Sequence, residues 1–236
     1  MSTLKSEEFL VTLKRIARVY AEIIILAVLL AVFLRAFVVS IYKVPTVSMA
    51  PTFLVGDVLV GYKLPFSKFV SDRLAKIKRG DVLVFNCPGN GEKSCLGRVI
   101  GLPGDRILVH SGQLTINGKE LNYSKGEPLG PEWQSQPNIE NFKEFVESDI
   151  DGAERRILIN STSTLEPQQH VVPEGELFFL SDYRQSGQDS MTWGTIPANH
   201  VAARVLGVLL SFDWGVRGEN VDWVPGIRWE RVFKSI

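Results

Sequence analysis

The sequence predicts an all-β fold: antiparallel sheets with an inserted smaller β-rich subdomain, preceded by one N-terminal transmembrane α-helix. Three observations predict this class. The apolar runs after residue 40 are short, Pro and Gly are frequent at 12 and 20 copies in 236 residues, and one membrane-length apolar run lies near the N-terminus. Short apolar runs bounded by turn residues are typical of strands, whereas a continuous apolar run of about 20 residues is typical of a membrane-spanning helix.

The predicted transmembrane helix covers residues 19–41, and its centre, residues 23–34, is unbroken apolar sequence. Glu22 and Arg35 lie near the two ends of the apolar stretch, where long charged side chains can reach the bilayer surface. A buried helix of a soluble protein is one alternative. A cleavable signal peptide is another, although the run is long and no small-x-small cleavage site follows it cleanly.

The charges beside this helix predict its orientation. Positive residues favour the cytoplasmic side of a membrane, and they are more frequent before the helix than directly after it. We therefore expect residues 1–18 to be a cytoplasmic segment and residues 42–236 to lie on the outer side. The positive residues before the helix are Lys14, Arg15 and Arg18.

The remaining composition limits the possible partners. Lys and Arg together number 26, as do Asp and Glu, so no nucleic-acid partner is expected. Cys87 and Cys95 flank a sequence that resembles a hairpin tip, and an exported domain permits a disulfide between them. Two free thiols are the alternative. Two soft ligands without a nearby His argue against a metal site, and no cofactor is expected.

The strands follow from short apolar runs and the turn residues between them. The Asn117-Gly118 pair predicts a tight hairpin within residues 114–121. The composition becomes polar from residue 123 to about residue 169, which predicts an inserted subdomain over residues 109–173. The main domain then comprises residues 42–108 and 174–236. Its predicted strands or strand–turn segments are residues 55–62, 82–86, 97–105, 176–180 and 201–212, while residues 64–70 are either core or a loop resting on the bilayer.

Ser48 is the strongest candidate for a catalytic side chain. Pro45 and Pro51 stand on either side of it. Each proline fixes its own φ and favours extended geometry in the preceding residue. A serine on such a stiff segment can be aimed at a substrate.

Several segments together resemble the type I signal peptidase family. The resemblance covers nearly the whole chain, and its motifs occur in the family's order behind an N-terminal anchor. They are Ser48-Met49-Ala50-Pro51-Thr52, Gly56-Asp57, the segment at residues 79–85, the segment at residues 98–105, Asp182, Arg184, Asp189-Ser190 and Trp193-Gly194.

The resemblance implies an all-β catalytic domain on the outer face of a bacterial-type inner (plasma) membrane, held by a single pass through the lipid bilayer. The substrates would be signal peptides of exported preproteins, cleaved after small residues. Ser48 would be the nucleophile and Thr46 would supply the hydroxyl of the oxyanion hole. Arg98 and Asp182 would form a structural ion pair. The residues implied in substrate binding are Tyr42, Val44, Met49, Phe53 and Leu96.

The family's general base is missing. Its lysine position, directly before the Arg98-Val99 pair, is Gly97 here, and the position of the hydroxyl residue that orients this lysine is Gly187. Tyr183 and Met191 are further departures from the family pattern. A serine near neutral pH is a weak nucleophile without a base, and a lysine acts as one only when desolvation lowers its pKa.

Four other residues are candidates for the missing base: Lys43, Lys93, His110 and His200. Lys43 precedes Ser48 by an odd number of residues, which places it on the opposite face of a straight strand. Lys93 lies in the proposed hairpin tip. His200 lies at the start of a predicted strand, where a surface histidine is the ordinary alternative.

Two functions are consistent with these observations. The first is a membrane-anchored signal peptidase I-like serine endopeptidase with a relocated or recruited base. The second is a catalytically impaired or inactive homologue that binds signal-peptide-like segments or assists assembly of exported proteins. The fold of self-cleaving repressors uses related Ser-Lys chemistry, but the membrane run and the lack of a DNA-binding helical domain argue against it. The sequence predicts no particular oligomeric state.

Overall fold

A computed structural model describes residues 2–63, 74–89, 93–128, 141–161, 166–185, 188–213, 216–217, 220–221 and 226–236. The segment 64–70 and Gly187, both considered above, lie outside the described residues. The chain divides into two compact units, residues 1–40 and residues 41–236.

The first unit contains the helix α1, Ser2–Phe37. Its stretch Lys14–Phe37 is long and apolar enough to cross a membrane, and none of it is buried against protein. The predicted N-terminal apolar helix is therefore confirmed. The helix ends at Phe37 rather than at residue 41, because the next residues, rich in β-branched side chains that favour strands, form Val39–Lys43 as a strand.

Strands are the main regular elements in the described part of the second unit, as predicted. In chain order they are β1 (Val39–Lys43), β2 (Asp57–Lys63), β3 (Val82–Asn86), β4 (Ser94–Gly101), β5 (Arg106–His110), β6 (Gln113–Ile116), β7 (Lys119–Glu120), β8 (Asn122–Lys125), β9 (Phe142–Ser148), β10 (Glu154–Asn160), β11 (Gln168–Val171), β12 (Glu176–Leu180), β13 (Ile196–Pro197), β14 (Val201–Asp213), β15 (Val216–Arg217), β16 (Asn220–Val221) and β17 (Gly226–Ile227). A short helix α2, Ser190–Trp193, follows β12, and 3₁₀ turns span Val47–Met49, Ala198–His200 and Trp229–Arg231.

The main sheet has the strand order β1-β2-β14-β3-β4-β12-β13, and β17 pairs with β14 outside this path. The long strand β14 pairs antiparallel with β2 on one side and with β3 on the other. The hairpin β3–β4 is antiparallel, as is the pairing of β4 with β12. This arrangement confirms the predicted class of antiparallel β-sheets.

Two smaller sheets are built from the strands between β4 and β12. One has the order β10-β9-β8 and the other the order β11-β5-β6-β7. The turn between β6 and β7 is the predicted Asn117-Gly118 hairpin, with φ of 52° and 79° at the two residues. Both values lie in the left-handed region that this type of two-residue turn requires.

The two faces of the main sheet carry different cores, and this difference positions the candidate site. One face holds an apolar cluster that includes Leu83, Phe85, Val99 and Phe179. The other face holds a cluster that includes Val44, Met49, Phe53, Leu59, Val82 and Val84. Because successive residues of a strand point to opposite faces, neighbours on β3 and β4 alternate between these clusters.

Candidate active site

Ser48 lies in the 3₁₀ turn Val47–Met49, which connects β1 to β2. Thr46 precedes the turn in an extended conformation, with φ −132° and ψ 160°. Its hydroxyl Oγ1 lies 3.1 Å from the Ser48 Oγ, within hydrogen-bond distance. The backbone N–H of Tyr183 donates to the Ser48 carbonyl at 3.0 Å, which ties the turn to the segment after β12. The sequence-predicted nucleophile and oxyanion hydroxyl thus lie side by side.

A groove of about 390 Å³ opens beside this turn. Three of the residues implied in substrate binding, Tyr42, Val44 and Leu96, line it together with Thr46 and Ser48. Its walls also include Cys87, Lys93, Cys95, Gln188 and Trp193. The mixture of small apolar surface and two hydroxyl groups suits an extended peptide with small side chains.

The other two residues implied in substrate binding lie beneath the groove. Met49 and Phe53 are 0% and 1% exposed and belong to the same apolar cluster as Val44. They pack in the apolar core next to the Ser48 turn and do not line the groove.

Cys87 and Cys95 form a disulfide at the end of the β3–β4 hairpin. The backbone N–H of Cys87 donates to the carbonyl of Lys93 at 2.9 Å, so the two strands are joined twice at this point. Both cysteines line the groove. The hairpin-tip pattern between the cysteines predicted this part of the wall. Nothing in the sequence predicted that it lies close to Ser48.

Gly97 lies on β4 opposite Leu83, on the strand face opposite that of Leu96. A Cβ atom at this position would lie 3.2 Å from Phe85 Cε1 and 3.3 Å from Phe179 Cβ. The rings of Phe85 and Phe179 stack with centroids 4.4 Å apart, and Trp193 meets Phe85 edge-on at 6.4 Å. The space in which a lysine side chain would begin is therefore narrow, and a neighbouring aromatic residue must shift slightly to admit it.

The alternative bases divide into two groups. Lys43 and Lys93 both line the groove that holds Ser48. His110 is an exposed residue of β5, and His200 is exposed in the turn Ala198–His200; neither contributes to the groove wall. Of the four candidates, the geometry brings only the two lysines to the candidate site.

Arg98 and Asp182 form a buried ion pair beside the Ser48 turn. Arg98 Nε and Nη2 donate to the two oxygens of Asp182 at 2.6 and 2.5 Å. The Thr52 hydroxyl donates to the same carboxylate at 2.5 Å. Burial by itself lowers the pKa of Arg98, but the Asp182 carboxylate outweighs burial and raises it. The network joins the end of the Ser48 segment to β4 and to the segment after β12.

Asp189 and Ser190, two residues of the last motif, hold the backbone around α2. The Asp189 carboxylate accepts from the N–H groups of Met191 and Ser181 at 3.0 and 3.1 Å. Burial raises the pKa of Asp189, and these two amide donors oppose that effect. The Ser190 hydroxyl accepts from the N–H of Phe179 at 2.9 Å, which fixes the strand that carries one of the aromatic rings over Gly97.

Sequence reasoning missed a second buried network around Glu147. Arg184 and Arg155 both form ion pairs with this carboxylate, and the Tyr123 hydroxyl donates to it at 2.8 Å. Burial alone raises the pKa of Glu147, but the two guanidinium groups outweigh it and lower the pKa to about 2. Arg184 belongs to the last motif, whereas its partners lie in a polar stretch where no periodicity marks a buried charge.

Within the described part of the chain, no group of three His, Cys, Asp or Glu residues could hold a metal ion. The groove itself presents the hydroxyl groups of Thr46 and Ser48 and the amines of Lys43 and Lys93. A serine and a threonine hydroxyl beside two lysines can serve acyl transfer if one amine is deprotonated.

Comparison with known proteins gives consistent results. A family model described as signal peptidase, peptidase S26, matches residues 17–210. The chain is 29% identical over 248 residues to signal peptidase I of Buchnera aphidicola subsp. Acyrthosiphon pisum (strain APS), covering 87% of this chain and 78% of that protein. It is 32% identical over 179 residues to signal peptidase I of Bacillus caldolyticus, covering 76% and 84%. A crystal structure of a signal peptidase I from Enterococcus faecalis V583 has 24% identity and a TM-score of 0.33, over 55% of this chain and 96% of that one.

Proposed function

Since this chain belongs to the signal peptidase family, peptidase S26, we propose that it is a membrane-anchored serine endopeptidase that cuts signal peptides from exported preproteins after small residues. The names of its relatives support a peptidase hydrolase acting in signal peptide removal. The observation that carries the proposal is the Ser48 hydroxyl, 3.1 Å from the Thr46 hydroxyl, at the wall of the groove.

In the proposed reaction the Ser48 Oγ attacks the carbonyl carbon of the scissile peptide bond. The Ser48 backbone N–H and the Thr46 hydroxyl stabilise the negative charge that develops on the carbonyl oxygen. A neutral amine takes the Ser48 proton and passes it to the departing amino group, and water then hydrolyses the acyl-enzyme. Lys43 or Lys93 supplies this amine, because both line the groove.

A second candidate function is binding without turnover. The absence of an amine at Gly97, where Phe85 and Phe179 leave little room for one, favours it. In that case the groove would hold a signal-peptide-like segment for recognition or assembly, and the Ser48 hydroxyl would make hydrogen bonds only.

The deciding experiment incubates the purified, detergent-solubilised protein with a preprotein that carries an Ala-x-Ala cleavage site. Cleavage is followed by gel electrophoresis and by the mass of the new N-terminus. We expect cleavage by the natural protein and by Ser124→Ala, a matched change at an exposed serine of β8, and none by Ser48→Ala. Lys43→Met and Lys93→Met then identify the base, because only one should abolish cleavage.

If neither the natural protein nor the variants cleave, while a labelled Ala-x-Ala peptide still binds, the second function replaces the first. Cleavage that persists in Ser48→Ala would contradict the proposed nucleophile. Equal loss in Lys43→Met and Lys93→Met would contradict a single groove lysine as base.

We also propose the topology and domain division predicted from the sequence. Residues 1–18 lie in the cytoplasm, residues 19–41 include the membrane-spanning helix, and the rest of the chain lies outside. Residues 42–108 with 174–236 act as the catalytic domain, and residues 109–173 as an inserted subdomain. The disulfide supports an exported location. Externally added protease should digest the β-domain in spheroplasts; protection of that domain there would contradict the topology.

A further inference from the structure

A second cavity, of about 520 Å³, lies beside the groove. Along β3, Val84 lines the groove and Val82 lines the cavity; along β4, Leu96 lines the groove and Arg98 the cavity. Both sites therefore open on the same face of the main sheet, two residues apart along two neighbouring strands. At the rise of an extended chain this separation is about 7 Å.

The cavity is rich in positive charge. Six cationic side chains line it, against the carboxylates of Asp81 and Glu154. The six are Arg79, Arg98, Arg155, Arg156, Arg204 and Lys234.

Four of these cations form ion pairs with carboxylates that do not line the cavity: Arg79, Arg98, Arg155 and Arg156. The remaining two, Arg204 and Lys234, are accessible to an incoming carboxylate. Arg98 is committed to Asp182 and to the carbonyl of Gly80. Arg155 is buried and forms ion pairs with Glu147 and Asp149. Arg204 is 40% exposed and lies 2.9 Å from Asp81. Lys234 is exposed beside them.

This wall suits a carboxylate. Guanidinium groups form forked, charge-assisted hydrogen bonds with carboxylates, and the apolar side chains of Phe53, Val205 and Val208 complete the lining. An extended peptide held in the groove rises about 3.3 Å per residue, so two or three residues beyond the groove are enough to reach the cavity.

We propose that this cavity binds acidic side chains of the peptide whose cleavage segment lies in the groove. The protein thereby prefers substrates that carry Asp or Glu a few residues from the small residues at the cut. This inference rests on the proposed function, because it takes the groove as the site of the peptide.

The test measures peptide binding rather than cleavage. The host is the intact Ser48→Ala protein in detergent, and the probes are two fluorescent peptides that share an Ala-x-Ala segment. In one, two Glu residues follow the segment; in the other, two Gln residues occupy the same positions. We expect the Glu peptide to bind about tenfold more tightly at low salt, and the ratio to fall as salt screens the charges.

Variants assign the preference to the cavity. In Arg204→Gln and in Lys234→Gln the ratio should fall to about threefold or less, and in the double variant to near one. Arg106→Gln, a matched change at an exposed arginine of β5 outside the cavity wall, should keep the full ratio. Because Arg204 pairs with the buried Asp81, thermal unfolding is measured in parallel, and the exposed Lys234 supplies an independent variant should Arg204→Gln unfold.

Equal binding of the two peptides, or a ratio unchanged in both variants, would overturn this inference and leave the proposed function intact. Failure of both peptides to bind would overturn this inference and the proposed function together. A ratio that falls equally in Arg106→Gln would assign the preference to overall charge and contradict the cavity.

Discussion

The two faces of β4 carry different side chains. One face packs near the segment that contains Ser48, and the other carries Gly97, at the position where the family has a lysine. On the groove face, Leu96 lines the site, and Arg98 joins a polar network that reaches Thr52 and Asp182. On the opposite face, Gly97 lies under the stacked rings of Phe85 and Phe179. The nucleophile is supported by charge and hydrogen bonds, whereas the position of the base is filled by apolar packing.

The two faces of β4 are therefore stabilised by different interactions. The polar network that holds the Ser48 segment includes no contribution from Gly97, so the proposed nucleophile can keep its position without a lysine there. An aromatic cluster stabilises the other face without any need of a buried amine, whose desolvation would cost free energy. Four changes test this separation, from the largest expected effect to the smallest.

The largest effect is expected from breaking the buried ion pair on the groove face. Asp182→Ala leaves Arg98 buried without its carboxylate, and should lower the free energy of unfolding by about 3–5 kcal/mol. Urea unfolding of the intact protein in detergent, followed by Trp fluorescence, measures the change. Arg18→Ala, which breaks a pair with side chains 83% and 67% exposed, is the control and should cost less than about 1 kcal/mol. Similar losses in the two variants would contradict the supporting role of the Asp182 pair.

The second effect depends on pH and concerns the Glu147 network. The pKa of Glu147, about 2, lies below the ordinary value of 4.5. The contribution of this carboxylate to the free energy of unfolding is therefore fully present above about pH 4.5. That contribution is lost as the pH falls through 2, and it amounts to about 3 kcal/mol. The free energy of unfolding should therefore fall more steeply between pH 5 and pH 2 in the natural protein than in Glu147→Gln.

Two controls sharpen the pH experiment. Glu120→Gln, at an exposed position of β7, should keep the full pH dependence of the natural protein. The raised pKa values of Asp81 and Asp189 act with the opposite sign, but they are present in every variant and cancel in the difference. Parallel curves for the natural protein and Glu147→Gln would show that Glu147 is not stabilised as an anion.

The third effect concerns the wall of the groove. Removing the disulfide by Cys87→Ser with Cys95→Ser should lower the free energy of unfolding by about 2–3 kcal/mol, the loop-closure value for a loop this short. Because both cysteines line the groove, an Ala-x-Ala peptide should also bind more weakly. A reducing agent should have the same effect on the natural protein and none on the double variant. Unchanged binding of the Ala-x-Ala peptide after reduction would mean that the peptide binds outside the groove.

Much of the fold was predictable because its signals are local. The apolar helix, the Asn117-Gly118 hairpin and the strands β3 and β12 are each marked within a few residues, by an apolar run or by turn residues. The two prolines predicted a stiff, extended segment around Ser48, and this was wrong for Ser48 itself, which lies in the 3₁₀ turn Val47–Met49. Prolines favour extended geometry only in the residues directly before them, and Ala50 before Pro51 is indeed extended. The helix boundary was placed four residues late, at 41 rather than 37, because an apolar run does not distinguish the end of a helix from a following strand.

The rest depends on contacts between distant segments. Glu147 of β9, Arg155 of β10 and Arg184 of the segment after β12 come together. Nothing beside them in the sequence marks a buried charge. The closeness of Lys93 to the groove depends on the register of β3 and β4, in which Phe85 opposes Cys95. The packing over Gly97 depends on β12, which lies about 80 residues away and supplies Phe179. Sequence reasoning identified the missing lysine but not the aromatic side chains in its place.

The smallest effect, and the most direct test of the comparison, comes from returning a lysine to the packed face. Gly97→Ala adds only the Cβ that meets Phe85 and Phe179 at 3.2 and 3.3 Å, and Gly97→Lys must also displace one ring. Overpacking of this kind costs about 1–3 kcal/mol. Phe179→Leu should relieve part of this overpacking. The substitutions Gly97→Lys and Phe179→Leu should therefore couple by about 0.5–3 kcal/mol in a double-mutant cycle.

Cleavage by these variants shows whether a lysine at position 97 can still act as a base for Ser48. If the groove face is intact, Gly97→Lys with Phe179→Leu should cleave an Ala-x-Ala preprotein faster than either single variant, because the amine is both present and free to turn toward Ser48. Gly97→Ala with Phe179→Leu has the same space without an amine and should show no gain. A stable double variant with measurable coupling but no gain in cleavage would mean that the groove face itself has diverged from the geometry that acyl transfer requires.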